Sequence, residues 1–189
     1  RNYYNLDRAE TLQSFYGIGE DIDKYMAASY VLELTEKVIP EEIPQPGIFK
    51  LLMEFIVELE KRKAHHLTLE LAYEIKLLRL LGTFPELNRC TTCGDSKNPE
   101  FFSVENGGIM CSNCHEKIKS EAIESLIFPI NFDIVKVLNY FTSNSLSTFK
   151  KIALEDRTAN YLQKIIRSYI SYHLDIKKLK SESVMDIEV

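Results

Sequence analysis

Four cysteines, Cys90, Cys93, Cys111 and Cys114, are the only ones in this 189-residue chain, and they fall in the spacing C-x2-C-x17-C-x2-C. Each C-x2-C turn can bring two sulfurs to one ion, and two such turns at this separation have the spacing of a four-thiolate zinc site. Gly94, directly after the first pair, lets the backbone turn so that amides aim at the sulfurs. Four thiolates around Zn2+ leave a net negative charge, and Arg89, Lys97, Lys117 and Lys119 are the cations close enough in sequence to offset it. A site closed by four protein ligands has no position for a catalytic water, so the expected role of Zn2+ is structural.

Other uses of these cysteines fit less well. A pair of disulfides needs an oxidising compartment, and the N-terminal Arg1-Asn2-Tyr3-Tyr4-Asn5 has no apolar core resembling a signal peptide. Cys111-Ser112-Asn113-Cys114-His115 matches the C-x2-C-H of haem attachment, but that reading leaves Cys90 and Cys93 unexplained. A thioredoxin-like pair needs a βαβ setting, which neither flank provides. His115 is a conceivable ligand, although the spacing favours the four sulfurs.

Around the cysteines the chain reads as helix. Residues 20–39 place Ile22, Tyr25, Met26, Ser29 and Leu32 at helical spacing before Pro40, Pro44 and Pro46. Pro46 suits the first turn of a second helix, whose apolar face carries Ile48, Leu51, Leu52, Phe55, Ile56 and Leu59. Leu67 to Leu81 is apolar nearly all round, which predicts a central helix, stopped by Gly82 and Pro85. Between Leu87 and Lys119 the helical period vanishes, and Phe101-Phe102-Ser103-Val104 with Gly107-Gly108-Ile109-Met110 predicts a β-hairpin between the cysteine pairs. Helical spacing resumes over Asn131–Phe141 and again over Glu155–Leu174, and the tail from Ser181 is expected to fray. The fold class is therefore mainly α, a helical domain (residues 1–86 and 120–189) interrupted by a small four-cysteine zinc knuckle (87–119) carrying a short β-hairpin.

Composition narrows the partners. No apolar run reaches the roughly 18 residues of a membrane span, so a cytoplasmic protein without membrane contact is expected. The net charge of −5 conceals a gradient: residues 1–60 hold twelve acidic and five basic side chains, residues 150–180 three acidic and eight basic. A polyanion would meet the C-terminal part. There Arg157, Lys164 and Arg167 share one side of the last helix, and Lys150, Lys151, Lys177, Lys178 and Lys180 could extend them into a track along a phosphate backbone. A solvated helix face is the competing explanation. His65 and His66 have no partner in a recognisable catalytic pattern, and Gly17-Ile18-Gly19 lacks the rest of a phosphate loop.

With these elements placed, the sequence resembles the helical and zinc-binding part of bacterial RecO. The most specific stretch is Leu80-Leu81-Gly82-Thr83-Phe84-Pro85-Glu86-Leu87-Asn88-Arg89-Cys90, followed by Cys93-Gly94, Phe101-Phe102-Ser103, Gly107-Gly108, Cys111 and Cys114. Tyr172-His173-Leu174 with Lys178-Leu179-Lys180-Ser181, and Leu6-Asp7-Arg8 to Phe15, add weaker matches at the two ends. The resemblance implies a recombination mediator in DNA repair rather than an enzyme. It would bind single- and double-stranded DNA, anneal strands, contact the C-terminal tail of single-stranded-DNA-binding protein (SSB), and act with RecR to load RecA. It also implies a bacterial, nucleoid-associated protein, and an OB-fold barrel that should precede Arg1. The alternative from a different class is a zinc-stabilised protein–protein interaction module with no direct DNA contact.

Overall fold

A computed structural model describes residues 5–96, 99–118 and 126–185, with the side chains of 150, 151 and 183–185 left aside. Helix α1 (Tyr16–Gly19) leads into α2 (Ile22–Val38). The Asp21 carboxylate caps α2, accepting from the amides of Asp23 at 3.1 Å and Lys24 at 3.2 Å. Pro46 occupies the first turn of α3 (Pro46–Lys61), where the missing amide costs no intrahelical bond. Next comes α4 (His66–Leu80), buried at every position from Thr68 to Ile75. It packs against α2, α3, α6 (Phe132–Ser143) and α7 (Asp156–His173), which is why its sequence is apolar on all sides. Gly82, at φ +74°, ends α4 in a left-handed cap in which the Thr83 amide donates to the Leu78 carbonyl at 2.9 Å.

The knuckle and the helices share a three-stranded antiparallel sheet of order β2-β1-β3, with β1 at Pro99–Ser103, β2 at Gly108–Cys111 and β3 at Ile127–Pro129. Phe102 stands opposite Ile109 on one side and Phe128 on the other. Side chains alternate across a strand, and here the alternation divides two cores. Phe102, Val104, Ile109 and Phe128 enter the main helical core, whereas Met110 joins Cys90, Cys111 and Cys114 with Phe101 and Ile118 against them. Glu86 forms a parallel bridge to Gly108, exchanging bonds with the Gly107 carbonyl and the Ile109 amide, both at 2.9 Å. A Cβ at Gly108 would stand 2.2 Å from the Glu86 carbonyl oxygen, so only glycine admits this approach. The hairpin agrees with the sequence expectation. Strand β3 and the short helix α5 (Ser112–Ile118) do not follow from periodicity, because neither is long enough to show one.

Two expectations are corrected. On α2 the buried stripe is Ala27, Ala28, Tyr30, Val31, Leu34 and Thr35, while Ile22 is 67% and Tyr25 56% exposed. The inner face is disguised by polar atoms that find buried partners. The Tyr30 hydroxyl donates to Glu74, and Thr35 Oγ1 donates to the Val31 carbonyl at 2.6 Å and lies 2.5 Å from the Tyr73 hydroxyl. Residues expected to fray instead begin a helix, α8 (Lys180–Met185), whose first amides at Lys180 and Ser181 donate to the Glu33 carboxylate, each at 2.8 Å. Among the described residues no helix is long and apolar enough to cross a membrane.

Candidate metal centre and basic face

The two C-x2-C segments meet where the sheet turns away from the helices. Cys90 and Cys93 lie on the turn after Leu87, Cys111 ends β2, and Cys114 lies in the first turn of α5. One ligand atom from each lies within 4.8 Å of all the others, a set able to hold a metal ion. Gly94, at φ +77°, reverses the chain after the first pair and donates its amide to the Cys90 carbonyl at 2.9 Å. This turn leaves amides facing sulfur: the Cys111 amide lies 3.5 Å from Cys90 Sγ.

The titration of the sulfurs follows from this crowding. Against the opposing effect of burial, backbone amides of Cys93, Cys111 and Thr92 bring the Cys90 thiol down to about 6. Burial, and then hydrogen bonding among the other three sulfurs, pushes Cys114 up to about 12. Four thiolates this close repel one another unless a cation lies between them. The donor set, four sulfurs with no carboxylate among them, suits Zn2+. Cys93 is exposed while the other three are buried, so the site is open to solvent at one ligand only. His115 is not grouped with the sulfurs; its ring stacks on Phe101 with centroids 3.7 Å apart. Of the cations expected near the site, Arg89 pairs with Glu86 at 3.4 Å, and Lys117 lies near the end of α5. Lys97 and Lys119 lie outside the described residues.

The basic track comes apart along α7. Arg157 and Lys164 are exposed, with Lys164 Nζ 5.8 Å from the centre of the Phe128 ring. Arg167 is not on this face. Its side chain is 19% exposed and reaches inward, with Nε 3.2 Å from Glu74 Oε1, Nη2 3.7 Å from Glu70 Oε2 and Nη1 paired with Glu182. The guanidinium carbon lies 3.5 Å from the centre of the Tyr30 ring. A guanidinium held by three carboxylates has no charge to offer a phosphate, so the expected place of Arg167 in a DNA-binding track is corrected. Helical spacing put it within reach of Lys164, but one turn along α7 the helix meets α2 and α4. Lys177, Lys178 and Lys180 are exposed beyond α7, and the side chains of Lys150 and Lys151 lie outside the description.

The carboxylates around Arg167 were missed in the sequence. The available signal is Glu70 and Glu74, one turn apart on a helix otherwise apolar on all sides, since buried acids require a buried partner. Burial first, then Glu74, pushes Glu70 up to about 7, against the pull of Arg167. Burial also raises Glu74, opposed by Arg167 and by the Tyr30 hydroxyl.

A mainly helical body with a small shared sheet, four clustered cysteines able to hold a metal ion and exposed cations on its last long helix defines the class of this fold. The comparisons give that class a family. Residues 19–183 match the family described as Recombination protein O C terminal, and the chain belongs to that family. Two relatives, each called DNA repair protein RecO, agree with this. The one from Alkaliphilus metalliredigens is 31% identical over 176 residues, covering 93% of this chain and 69% of the relative. The one from a Thermoanaerobacter species is 26% identical over 188 residues, covering 100% and 73%. A role in DNA repair and recombination follows from this membership.

Proposed function

We propose that the protein is a recombination mediator that binds and anneals DNA, working with RecR to help RecA load on single-stranded DNA coated by SSB. Family membership carries this reading, and the exposed Arg157, Lys164, Lys177, Lys178 and Lys180 supply cations that suit phosphate contact. Lys150 and Lys151 are included on sequence alone. Strand handling of this kind draws on binding energy and needs no catalytic group. In the same reading the ion held by Cys90, Cys93, Cys111 and Cys114 is Zn2+, its role is to fold the insert of residues 87–119 between the helical parts 1–86 and 120–189, and the protein acts in the bacterial cytoplasm on the nucleoid. Contact with the SSB tail and with RecR belongs to this proposal as well.

Salt dependence tests the DNA contact. Binding of the chain to single- and double-stranded oligonucleotides should weaken steeply with salt, by a log–log slope of roughly −0.7 to −0.9 per phosphate contact. Arg157→Glu with Lys164→Glu should reduce both affinity and slope. Binding that is salt-independent, or unchanged by the double charge reversal, would remove these residues from DNA contact and favour a module that binds protein alone.

A further inference from the structure

Helix α8 is fastened to the body by two carboxylates acting in opposite directions. Glu33 of α2 receives the amides of Lys180 and Ser181 and, at 2.7 Å, the Ser181 hydroxyl. From α8 itself, Glu182 accepts the Leu179 amide at 2.9 Å with one oxygen and pairs with Arg167 through the other. Leu179 is buried beneath this contact. Together they close one side of a cleft of about 570 Å3 lined by Tyr30, Arg167, Tyr172, Ile176, Leu179 and Glu182.

Three carboxylates surround the single guanidinium of Arg167. Glu74 Oε1 receives two hydrogen bonds, from the Tyr30 hydroxyl and from Arg167 Nε, which favour its anion but oppose without overcoming the effect of burial. Glu70 is buried as well; its Oε2, like Glu74 Oε2 and Arg167 Nη2, makes no hydrogen bond, and its contact with Arg167 Nη2 is the long one at 3.7 Å. Glu70 and Glu182 therefore face opposite nitrogens of one guanidinium, with Glu74 between them. Ionised together, the three carboxylates exceed the single positive charge by two. One proton on Glu70 relieves much of this excess, and its carboxyl titrates near neutrality because burial and Glu74 raise it to about 7.

We propose that α8 is a proton-linked latch, in which Glu70 and Glu182 compete for Arg167, so that a proton on Glu70 fastens α8 over the cleft and loss of that proton loosens it. Other charged and titratable groups surround the latch, Glu74 among them, whose proton affinity burial also raises. On α2, against the opposing effect of burial, the amides of Ser181 and Lys180 together with the Ser181 hydroxyl hold the Glu33 carboxyl below its ordinary value. Lys37 stands beside Glu33 on the same helix. Tyr30 is pushed up by burial and then by Glu74. Asp175 and Lys177 of the connecting segment line the cleft, and Lys180 opens α8 on the exposed side. Linkage makes the effect reciprocal: if docking of α8 raises the proton affinity of Glu70 by about one pKa unit, deprotonation weakens docking about tenfold. Loosening of α8 would uncover Arg167 and Tyr30 in the cleft.

Amide hydrogen exchange on the purified protein between pH 6 and 8.5, corrected for the intrinsic pH dependence of exchange, reads the latch. Protection at Leu179 to Glu182 should fall about tenfold across that range. In Glu70→Gln it should stay high throughout, and in Glu182→Gln it should already be low at pH 6. Protection of a peptide inside α4, measured in the same samples, confirms that each variant is folded. Protection at 179–182 that is constant with pH in the unmodified protein, that keeps its pH dependence in Glu70→Gln, or that stays high in Glu182→Gln would overturn the proposal.

Discussion

His173, in the last turn of α7, places Nε2 2.7 Å from the carbonyl oxygen of Val104, just beyond β1. A carbonyl only accepts, so Nε2 carries the proton. One turn earlier the Tyr169 hydroxyl donates to the Thr83 carbonyl at 2.9 Å, and its ring meets Phe102 edge to face. Two neighbouring side chains of α7 thus hold both the approach to the knuckle and its hairpin. His173→Ala should cost about 1–2 kcal/mol in urea unfolding, the usual cost of leaving a largely buried carbonyl unpaired. Hydrogen exchange should speed up in residues 101–110 more than in α4. Equal acceleration in both regions would show that the bond stabilises the whole body rather than the junction.

Arg167 and Lys164 should separate cleanly despite their proximity in sequence. Removing Arg167 leaves Glu70, Glu74 and Glu182 without their common partner. Arg167→Ala should therefore destabilise by about 3–5 kcal/mol, the cost of uncompensated buried charge. Lys164→Glu and Arg157→Glu, on the exposed side, should stay within about 0.5 kcal/mol of the unmodified protein while lowering DNA affinity. Denaturant unfolding and oligonucleotide titration on the same preparations check both. A fold-neutral Arg167→Ala with reduced DNA binding would return Arg167 to the nucleic-acid face.

This pair also shows where sequence reasoning holds and where it stops. The cysteine spacing reports local chain geometry, so the knuckle, its hairpin and the four clustered sulfurs were legible from residues alone. The central position of α4 was legible too, because a helix apolar on all sides has no solvent face to offer. Direction around a helix was not. On α2 the stripes containing Ile22 and Val31 are both spaced as a face, and the inner one carries Tyr30 and Thr35, whose polar atoms are satisfied only by residues of α4 and by their own helix. Arg167 was misplaced for the matching reason. A cation looks solvent-facing until its carboxylates, on α4 and α8, are brought to it by tertiary packing.

Glu70 gives stability a sign with pH. Its carboxyl sits near 7 in the folded protein, raised first by burial and then by Glu74, against about 4.3 in an unfolded chain. The folded state therefore binds the proton more tightly, and that stabilisation, complete below the unfolded value, is lost as pH rises towards and through 7. On its own this linkage amounts to about 4 kcal/mol. Glu70→Gln, which cannot ionise, should gain stability relative to the unmodified protein as pH is raised from 5 to 8 in parallel urea titrations. A difference between the two that does not change with pH would mean that Glu70 is already ionised in the folded protein at pH 5.

The four clustered sulfurs are the remaining support that can be tested by itself. The second core of the protein consists of Cys90, Met110, Cys111 and Cys114 with Phe101 and Ile118, too few apolar groups to fold the knuckle unaided. Freshly purified protein should contain one Zn2+ per chain by atomic absorption. Cys90→Ser or Cys111→Ser, which remove a buried ligand, should lose the ion, expose Phe101 and Met110 and promote aggregation, while α3 and α4, whose core is independent of the sulfurs, keep their helical signal. Cys93→Ser alters the solvent-facing ligand and should lower affinity with less disturbance of packing. A strong chelator should reproduce the Cys90→Ser state, at a rate set by opening of the site at Cys93. Folded, soluble protein that contains no zinc, and whose hairpin exchanges no faster in Cys90→Ser, would mean that hydrogen bonding between Glu86 and Gly107–Ile109, rather than metal, holds the knuckle together.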